Sequence, residues 1–273
     1  MTVRRLLMKM KYSLKANVKR LSGTAHPDRN QQFEFIERQK QAFLAAGWPV
    51  ISVDTKKKEL IGNFKNAGKN WCLAAEAVND HDFDQDALGK AVPYGIYDLN
   101  HNLGYVYVGN SADTPQFAVE MIASWWQTEG QRLFPGQTHI LILADAGGSN
   151  GCRPRLWKQQ LQEQLADRLG LAVTVCHYPT GASKWNPIEH RLFCFISLNW
   201  AGQPLVSYET ILKFIRTTRT ESGLWCQARL DRTQYKTGLK ITADEKARIN
   251  LKPHRHFPNW NYTIKPHSAK FGK

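Results

Sequence analysis

The sequence predicts an α/β protein built on a mixed sheet of five strands, with helices on both faces. Residues 139–145 form a continuous apolar run without alternation, which is typical of a central strand covered on both sides. Residues 94–98 and 104–109 are strand patterns joined by a short polar turn, which indicates a hairpin. Helical patterns separate the later strands, so we expect three antiparallel strands followed by two strands reached through helical crossovers.

The individual elements follow from the spacing of apolar residues along the chain. Short β-branched or apolar runs predict strands, and apolar residues three and four positions apart predict helices. Gly47 and Gly170 end two helical patterns, as glycine often does. The predicted strands are residues 49–54, 94–98, 104–109, 139–145 and 171–176; the predicted helices are residues 2–15, 31–46, 153–169 and 204–219, with two more opening at Thr114 and Asn186.

Charge is distributed unevenly along the 273 residues, whose formal net charge is +14. Residues 1–40 hold ten Lys and Arg against three Asp and Glu, and residues 212–273 hold fourteen against four. Basic ends around a slightly acidic centre indicate arms that bind a polyanion such as nucleic acid, and a core that collects cations. A protein that is basic only for solubility is the alternative.

Composition also excludes several classes of protein. The chain is 42% hydrophobic, enough for a sizeable core, and no run of about 18 apolar residues predicts a membrane span. The five cysteines are scattered without C-x-x-C spacing, so neither a disulfide framework nor a zinc site is indicated. We therefore expect a cytoplasmic protein without a membrane partner.

Three acidic residues stand where predicted elements end or begin. Asp54 ends the first strand, Asp145 ends the fourth, and Glu189 is the third residue of a helix with Asn186 as N-cap and Pro187 at its first position. Glu189 alone fits an ordinary capping pattern. If the first and fourth strands are neighbours, however, the carboxylates converge and repel one another unless cations intervene. We predict that Asp54, Asp145 and Glu189 bind two Mg²⁺ or Mn²⁺ ions.

Other acidic or nucleophilic groups are weaker candidates. Asp98 ends a strand but precedes an ordinary hairpin turn. Cys176 and His177 resemble a nucleophile and its base, but neighbours in a strand point to opposite faces. The acidic group at residues 80–82 has no third ligand at a set spacing, so we interpret it as a solvated loop.

Five ordered strings resemble one protein family over nearly the whole chain, from about residue 2 to residue 264. They are residues 53–64, 79–83, 93–98, 143–151 and 184–193. The chain resembles the Rhodopirellula-type DDE transposases of bacterial insertion sequences. The resemblance implies a ribonuclease H-like fold, with the acidic triad of the family at Asp54, Asp145 and Glu189.

The resemblance also implies an activity and its partners. The expected reaction is metal-dependent DNA cleavage and strand transfer, acting on the ends of an insertion sequence and on target DNA. A homo-oligomer is expected when two ends are synapsed, in the bacterial cytoplasm and associated with the nucleoid when DNA is bound. Two alternatives remain open: a structure-selective ribonuclease H-like nuclease, and a catalytically idle DNA-binding remnant.

Basic and aromatic residues beside the triad are candidate DNA contacts. Basic side chains there would hold phosphates, with ordinary solvent-facing positions as the alternative. An aromatic ring would stack on a base, with a core tryptophan as the alternative. The candidates are Lys56, Lys57, Lys184, His190 and Arg191 for phosphates, Trp185 for stacking, and Arg4 and Arg5 in the first helix.

The sequence pattern and the resemblance together predict four parts of the chain. Family members begin with a helix-turn-helix region, whereas this chain opens near the last helix of such a region, so we expect an N-terminal truncation. Residues 1–20 would be the remnant of that region, 21–48 a linker and helix, 49–215 the catalytic domain with an insertion at about 60–92, and 216–273 a basic C-terminal region.

Overall fold

The computed structural model describes residues 2–13 and 27–268. Its centre is a mixed sheet of nine strands. In chain order these are β1 (Val50–Thr55), β2 (Glu59–Ile61), β3 (Gly89–Asp98), β4 (Leu103–Gly109), β5 (His139–Asp145), β6 (Ala172–Tyr178), β7 (Trp225–Asp231), β8 (Leu251–Pro253) and β9 (Asn261–Ile264).

The five predicted strands form the centre of this sheet. Their order is β4-β3-β1-β5-β6, with β7 beyond β4, and with β9 and then β8 beyond β6. β1 runs antiparallel to β3 and parallel to β5, and β5 runs parallel to β6. The predicted arrangement of strands is therefore confirmed. β3 begins at Gly89, earlier than expected, because β2 pairs with its first three residues.

Helices cover both faces of the sheet in the described residues. In this part of the chain, three π-helical turns adjoin α-helical segments, at Trp126–Gly130, Leu161–Asp167 and Glu189–Phe193. Residues 187–199 are called the Glu189 helix below. The α-helical segments are α1 (Val3–Lys9), α2 (Arg29–Ala45), α3 (Pro115–Trp125), α4 (Gln131–Leu133), α5 (Arg155–Gln160), α6 (Cys194–Asn199), α7 (Tyr208–Thr217) and α8 (Ala243–Ala247).

The apolar run of β5 is explained by its burial on both faces. Ile140, Ile142 and Ala144 pack in the cluster that includes α3 and α5. Leu141 and Leu143 point the other way and pack in the cluster that includes α2. Each of these larger side chains contributes on the order of 1.5–3 kcal/mol by leaving water. The strand that ends at the second aspartate is thus fixed from both sides.

Glycine allows the Glu189 helix to lie close to the sheet. Ile188, Leu192 and Phe193 of this helix are buried against the sheet. A Cβ atom placed on Gly95 would lie 2.5 Å from the Phe193 ring and 2.8 Å from Ile188. Gly95 is the residue of β3 that pairs with Asp54. Because Gly95 has no side chain, the Glu189 helix can pack close to the end of β1.

The basic C-terminal region adds three strands to the same sheet. β7 lies parallel to β4 at one edge, and β9 pairs antiparallel with β6 towards the other. The predicted insertion contains one short 3₁₀ turn, Asp84–Asp86, between β2 and β3. Most of the predicted linker lies in residues 14–26, outside the described residues. Over residues 2–13 and 27–268, no helix is both long enough and apolar enough to cross a lipid bilayer.

Candidate functional site

The register between β1 and β5 places the two aspartates on neighbouring strands. Val53 pairs with Ala144, so Asp54 and Asp145 stand at the next position of each strand. Val53 and Ala144 both pack towards α3 and α5. Because successive side chains alternate between faces, both aspartates project from the opposite face, on which the Glu189 helix packs. The two strands that end at Asp54 and Asp145 are therefore neighbours, as the prediction of a shared site required.

The carboxyl group of Asp54 lies in an environment that strongly shifts its pKa. Burial, together with the negative charges of Asp145, Glu189 and Asp113, raises its pKa to about 8. The backbone N–H of Thr55 donates to Asp54 Oδ1 at 2.8 Å and partly offsets this rise. Asp54 therefore interacts electrostatically with both other predicted acids.

The pKa values of Asp145 and Glu189 are shifted in the same direction. Burial raises the pKa of Asp145, and a hydrogen bond from Asn186 lowers it. Burial and the charge of Asp145 raise the pKa of Glu189, whereas nearby Lys56 lowers it. Shifts of this kind, with burial and specific charge partners, are frequent at functional sites.

The donor set suits a hard divalent cation, because it consists of carboxylate oxygens whose repulsion a cation would offset. Across the part of the chain that the structure describes, no group of three or more His, Cys, Asp or Glu side chains is arranged to hold a metal ion. The metal-binding role of Asp54, Asp145 and Glu189 therefore stays a prediction.

A buried amide links the elements that carry the three acids. Asn186 Nδ2 donates to Asp145 Oδ1 at 3.1 Å, and Asn186 Oδ1 accepts from the hydroxyl of Ser52 in β1 at 2.5 Å. Ser52 Oγ accepts in turn from the backbone N–H of Ile188 at 3.0 Å. Asn186 and Ser52 are both fully buried. This chain of bonds ties β1, β5 and the start of the Glu189 helix together.

The same bonds correct the predicted role of Asn186 as the N-cap of the Glu189 helix. Its side chain is directed to Asp145 and Ser52, and Ser52 supplies the acceptor for a helical N–H group in its place. Asn-Pro is a local capping signal, but the cap here comes from a residue more than 130 positions earlier. Only the packing of the helix on β1 makes that contact available.

A second buried network holds the backbone at Asp145. Trp157 Nε1 donates to the Tyr262 hydroxyl at 2.9 Å, that hydroxyl lies 3.0 Å from His177 Nε2, and His177 Nδ1 lies 3.0 Å from the Asp145 carbonyl. The carbonyl can only accept, so Nδ1 carries the proton and Nε2 accepts from Tyr262. Burial lowers the pKa of His177 to about 4, which agrees with a neutral ring. Cys176 packs on the opposite face, as predicted.

Sequence reasoning missed Asp113 as an acid of the site. Thr55 Oγ1 donates to Asp113 Oδ1 at 3.1 Å, and Lys58 Nζ lies 3.9 Å from Asp113 Oδ2. Burial raises the pKa of Tyr94 and the charges of Asp54 and Asp113 raise it further. Asp113 precedes the cap of α3 and ends no strand pattern, so only its position in the fold places it near the triad.

The chain matches one known protein family over nearly its whole length. The profile of the Rhodopirellula transposase DDE domain matches residues 1–266. The chain belongs to this family. No curated protein matches it by sequence.

Solved structures of Mos1 transposase share the fold of this DDE-domain chain. The mariner Mos1 paired-end complex with Mg is 16% identical with a TM-score of 0.53, and the paired-end complex with the left transposon end is 17% identical with a TM-score of 0.52. The complex with Mn is 15% identical with a TM-score of 0.51. Each match covers 78% of this chain and 60% of the Mos1 chain. The fold is therefore ribonuclease H-like, as predicted, and the chain spans about 60% of the Mos1 length.

Lys56 differs from the other predicted DNA contacts of this DDE-domain chain because it is buried. Its side chain is 9% exposed, with Nζ 3.0 Å from Glu59 Oε1 and 4.4 Å from the centre of the Trp200 ring. Its charge lowers the pKa of Glu189, so it acts on this carboxyl group from inside the protein. As a phosphate contact, Lys56 is thus a poor candidate.

Trp185 is exposed, so the alternative interpretation of this residue as a core tryptophan is wrong. The residue is 53% exposed, and its ring contacts Phe33 edge-on with the centroids 5.9 Å apart. Together with His190 and Arg191 it borders a groove of about 630 Å³ between α2 and the Glu189 helix. The remaining predicted contacts are also exposed: Arg4, Arg5, Lys57 and Lys184.

The raised pKa of Asp54 predicts how stability changes with pH in the metal-free DDE domain. An unfolded aspartate loses its proton near pH 3.8, whereas the folded group keeps it up to about pH 8. The folded state therefore binds more protons between these values, and its stability falls as pH rises through this window. In chelator, Asp54→Asn should melt at the same temperature as wild type near pH 4 and several degrees higher near pH 8.5.

Thermal melts of both proteins across this pH range check the prediction. Adding Mn²⁺ at the higher pH should stabilise wild type and leave Asp54→Asn unchanged, because the variant lacks the charge that the ion would neutralise. A difference in melting temperature that is the same at every pH would contradict the assigned pKa.

Proposed function

We propose that this chain is the catalytic part of a DNA transposase that cleaves the ends of an insertion sequence and joins them to target DNA. The observation that carries the proposal is the electrostatic interaction among Asp54, Asp145 and Glu189. These acids come from two adjacent strand ends and one helix start, lie on one face of the sheet, and are coupled electrostatically. Membership of the transposase DDE domain family supports this assignment.

The three acids would bind two Mg²⁺ or Mn²⁺ ions. When bound, such ions lower the pKa of the attacking water or 3′-hydroxyl and neutralise charge on the scissile phosphate. The chain itself positions the acids: Asn186 orients the carboxylate of Asp145, and His177 holds the carbonyl of the same residue. Lys56 keeps Glu189 closer to its ionised form. Two of the similar Mos1 structures contain Mn or Mg.

DNA is the proposed partner, since the chain carries a net charge of +14 and has exposed basic residues beside the acids. We further propose that two copies act together when two element ends are joined. The similar Mos1 structures are paired-end complexes, which is consistent with this arrangement.

The proposal is tested by a cleavage and joining assay on labelled duplex oligonucleotides that carry the element ends. With Mg²⁺ or Mn²⁺ we expect nicked 3′ ends and longer strand-transfer products, and neither should form in chelator. Cleavage without joined products would instead indicate a structure-selective nuclease. Duplex binding without any cleavage would indicate a DNA-binding remnant.

A further inference from the structure

A groove outside the carboxylate site opens directly after Asp145. The glycine-rich turn 146–151 follows β5, and the groove runs between this turn and the turn at residues 257–260. Its volume is about 930 Å³, larger than the groove beside Trp185. We call it the Arg153 groove; residues that line it include Gly147, Gly148, Arg153, Lys158, Thr180 and Trp260.

Two cations border this groove without carboxylate partners. Neither Arg153 nor Lys158 forms an ion pair with any residue of the described ranges. Lys158 is partly buried, and its ammonium group lies 5.0 Å from the centre of the Tyr262 ring. Burial lowers its pKa. Asp28 also lines the groove and has an interaction of its own. The two cations are thus available to an anion.

The glycine turn lets a ligand approach the backbone. A Cβ atom on Gly147 would meet nothing within 4 Å, and one on Gly148 would meet only Asn150 Oδ1 at 3.9 Å. Glycine N–H groups in such turns are common donors to phosphate oxygens.

We propose that the Arg153 groove binds the phosphodiester backbone of duplex DNA next to the scissile bond. Phosphate oxygens would be held by Arg153, Lys158 and the N–H groups of the glycine turn. Because Asp145 immediately precedes this turn, DNA bound here passes directly beside the carboxylates. The inference rests on the proposed function and adds a DNA contact that lies apart from the groove containing Trp185.

The test measures how salt weakens binding of a fluorescent element-end duplex, without divalent ions and with the full chain. Each phosphate contact contributes about 0.9 to the slope of log affinity against log salt concentration, so Arg153→Gln/Lys158→Gln should lower the slope by about 2. The matched control, Arg168→Gln/Lys213→Gln, removes the same charge from exposed positions outside the groove. Its slope should stay close to that of wild type.

A second variant avoids the partly buried lysine. Arg153 is exposed, so Arg153→Glu should fold normally and bind the duplex more weakly than Arg153→Gln. An unchanged slope, an equal loss in the control, or a loss seen only with single-stranded DNA would overturn the groove assignment. The binding assay needs no turnover, so failure of cleavage and joining would be recognised separately from failure of the groove.

Discussion

Asp145→Asn is expected to abolish strand transfer while duplex binding persists. The amide is close in size to the carboxylate but carries no charge, so it cannot offset the charge of a divalent ion. Loss of an essential catalytic group costs at least about 10³-fold in rate. Joined products from labelled element ends in Mn²⁺ measure the activity, and anisotropy with the same duplex in chelator measures binding.

Asp98→Asn is the matched control for this variant. Asp98 is also a buried aspartate that ends a strand, but its carboxylate pairs with His101 Nδ1 at 2.7 Å and accepts from the N–H of Asn100. Joining activity per folded molecule should be retained in Asp98→Asn. Strand transfer that survives in Asp145→Asn would remove Asp145 from the triad.

Asn186→Ala is expected to slow cleavage about ten- to a hundred-fold, the usual effect of removing a group that orients a metal ligand. The variant leaves Asp145 without its amide donor and Ser52 without its acceptor. Leaving buried groups unpaired should also lower the free energy of unfolding by about 1–3 kcal/mol. Cleavage rates at saturating duplex, with urea unfolding of the same preparations, separate the two effects.

Two further variants show whether slower cleavage by Asn186→Ala comes from a misplaced Asp145 or from lower stability of the protein. Asn199→Ala removes an amide from the end of the same helix, where it bonds the Phe214 carbonyl and Thr218, away from the acids. Its cleavage rate per folded molecule should match wild type. Ser52→Ala should slow cleavage like Asn186→Ala but less, because the contact to Asp145 remains. If Asn186→Ala is no slower than Asn199→Ala, Asn186 has no positioning role.

The central strands could be predicted because their signals are local. The run from His139 to Asp145 is apolar without alternation, and a strand with this pattern must be covered on both faces. The hairpin of β3 and β4 has a polar turn between two β-rich runs. In contrast, β7, β8 and β9 carry mixed polar sequences and pair with strands far away in the chain. No local sequence pattern indicates which strands β7, β8 and β9 pair with.

Exposure of single side chains was likewise decided by packing. Lys56 follows a strand and belongs to a run of three lysines, yet it lies inward against Trp200 and Glu59. Trp185 is a large apolar residue in a helix-start motif, yet half of its surface is exposed. Residue type alone favours the opposite position for each, because it carries no information about which neighbours arrive in three dimensions.

By itself, the sequence determined the order of the central elements and the family to which the chain belongs, and it predicted the three acids at the ends of these elements. These are properties of short segments, since strand periodicity, helix starts and motif strings are each written in consecutive residues. Tertiary structure decided that Ser52 caps the Glu189 helix, that Asn186 holds Asp145, and that Asp113 joins the acidic group. Those contacts join residues tens of positions apart, and they exist only because burying the apolar faces of the helices and sheet brings them together.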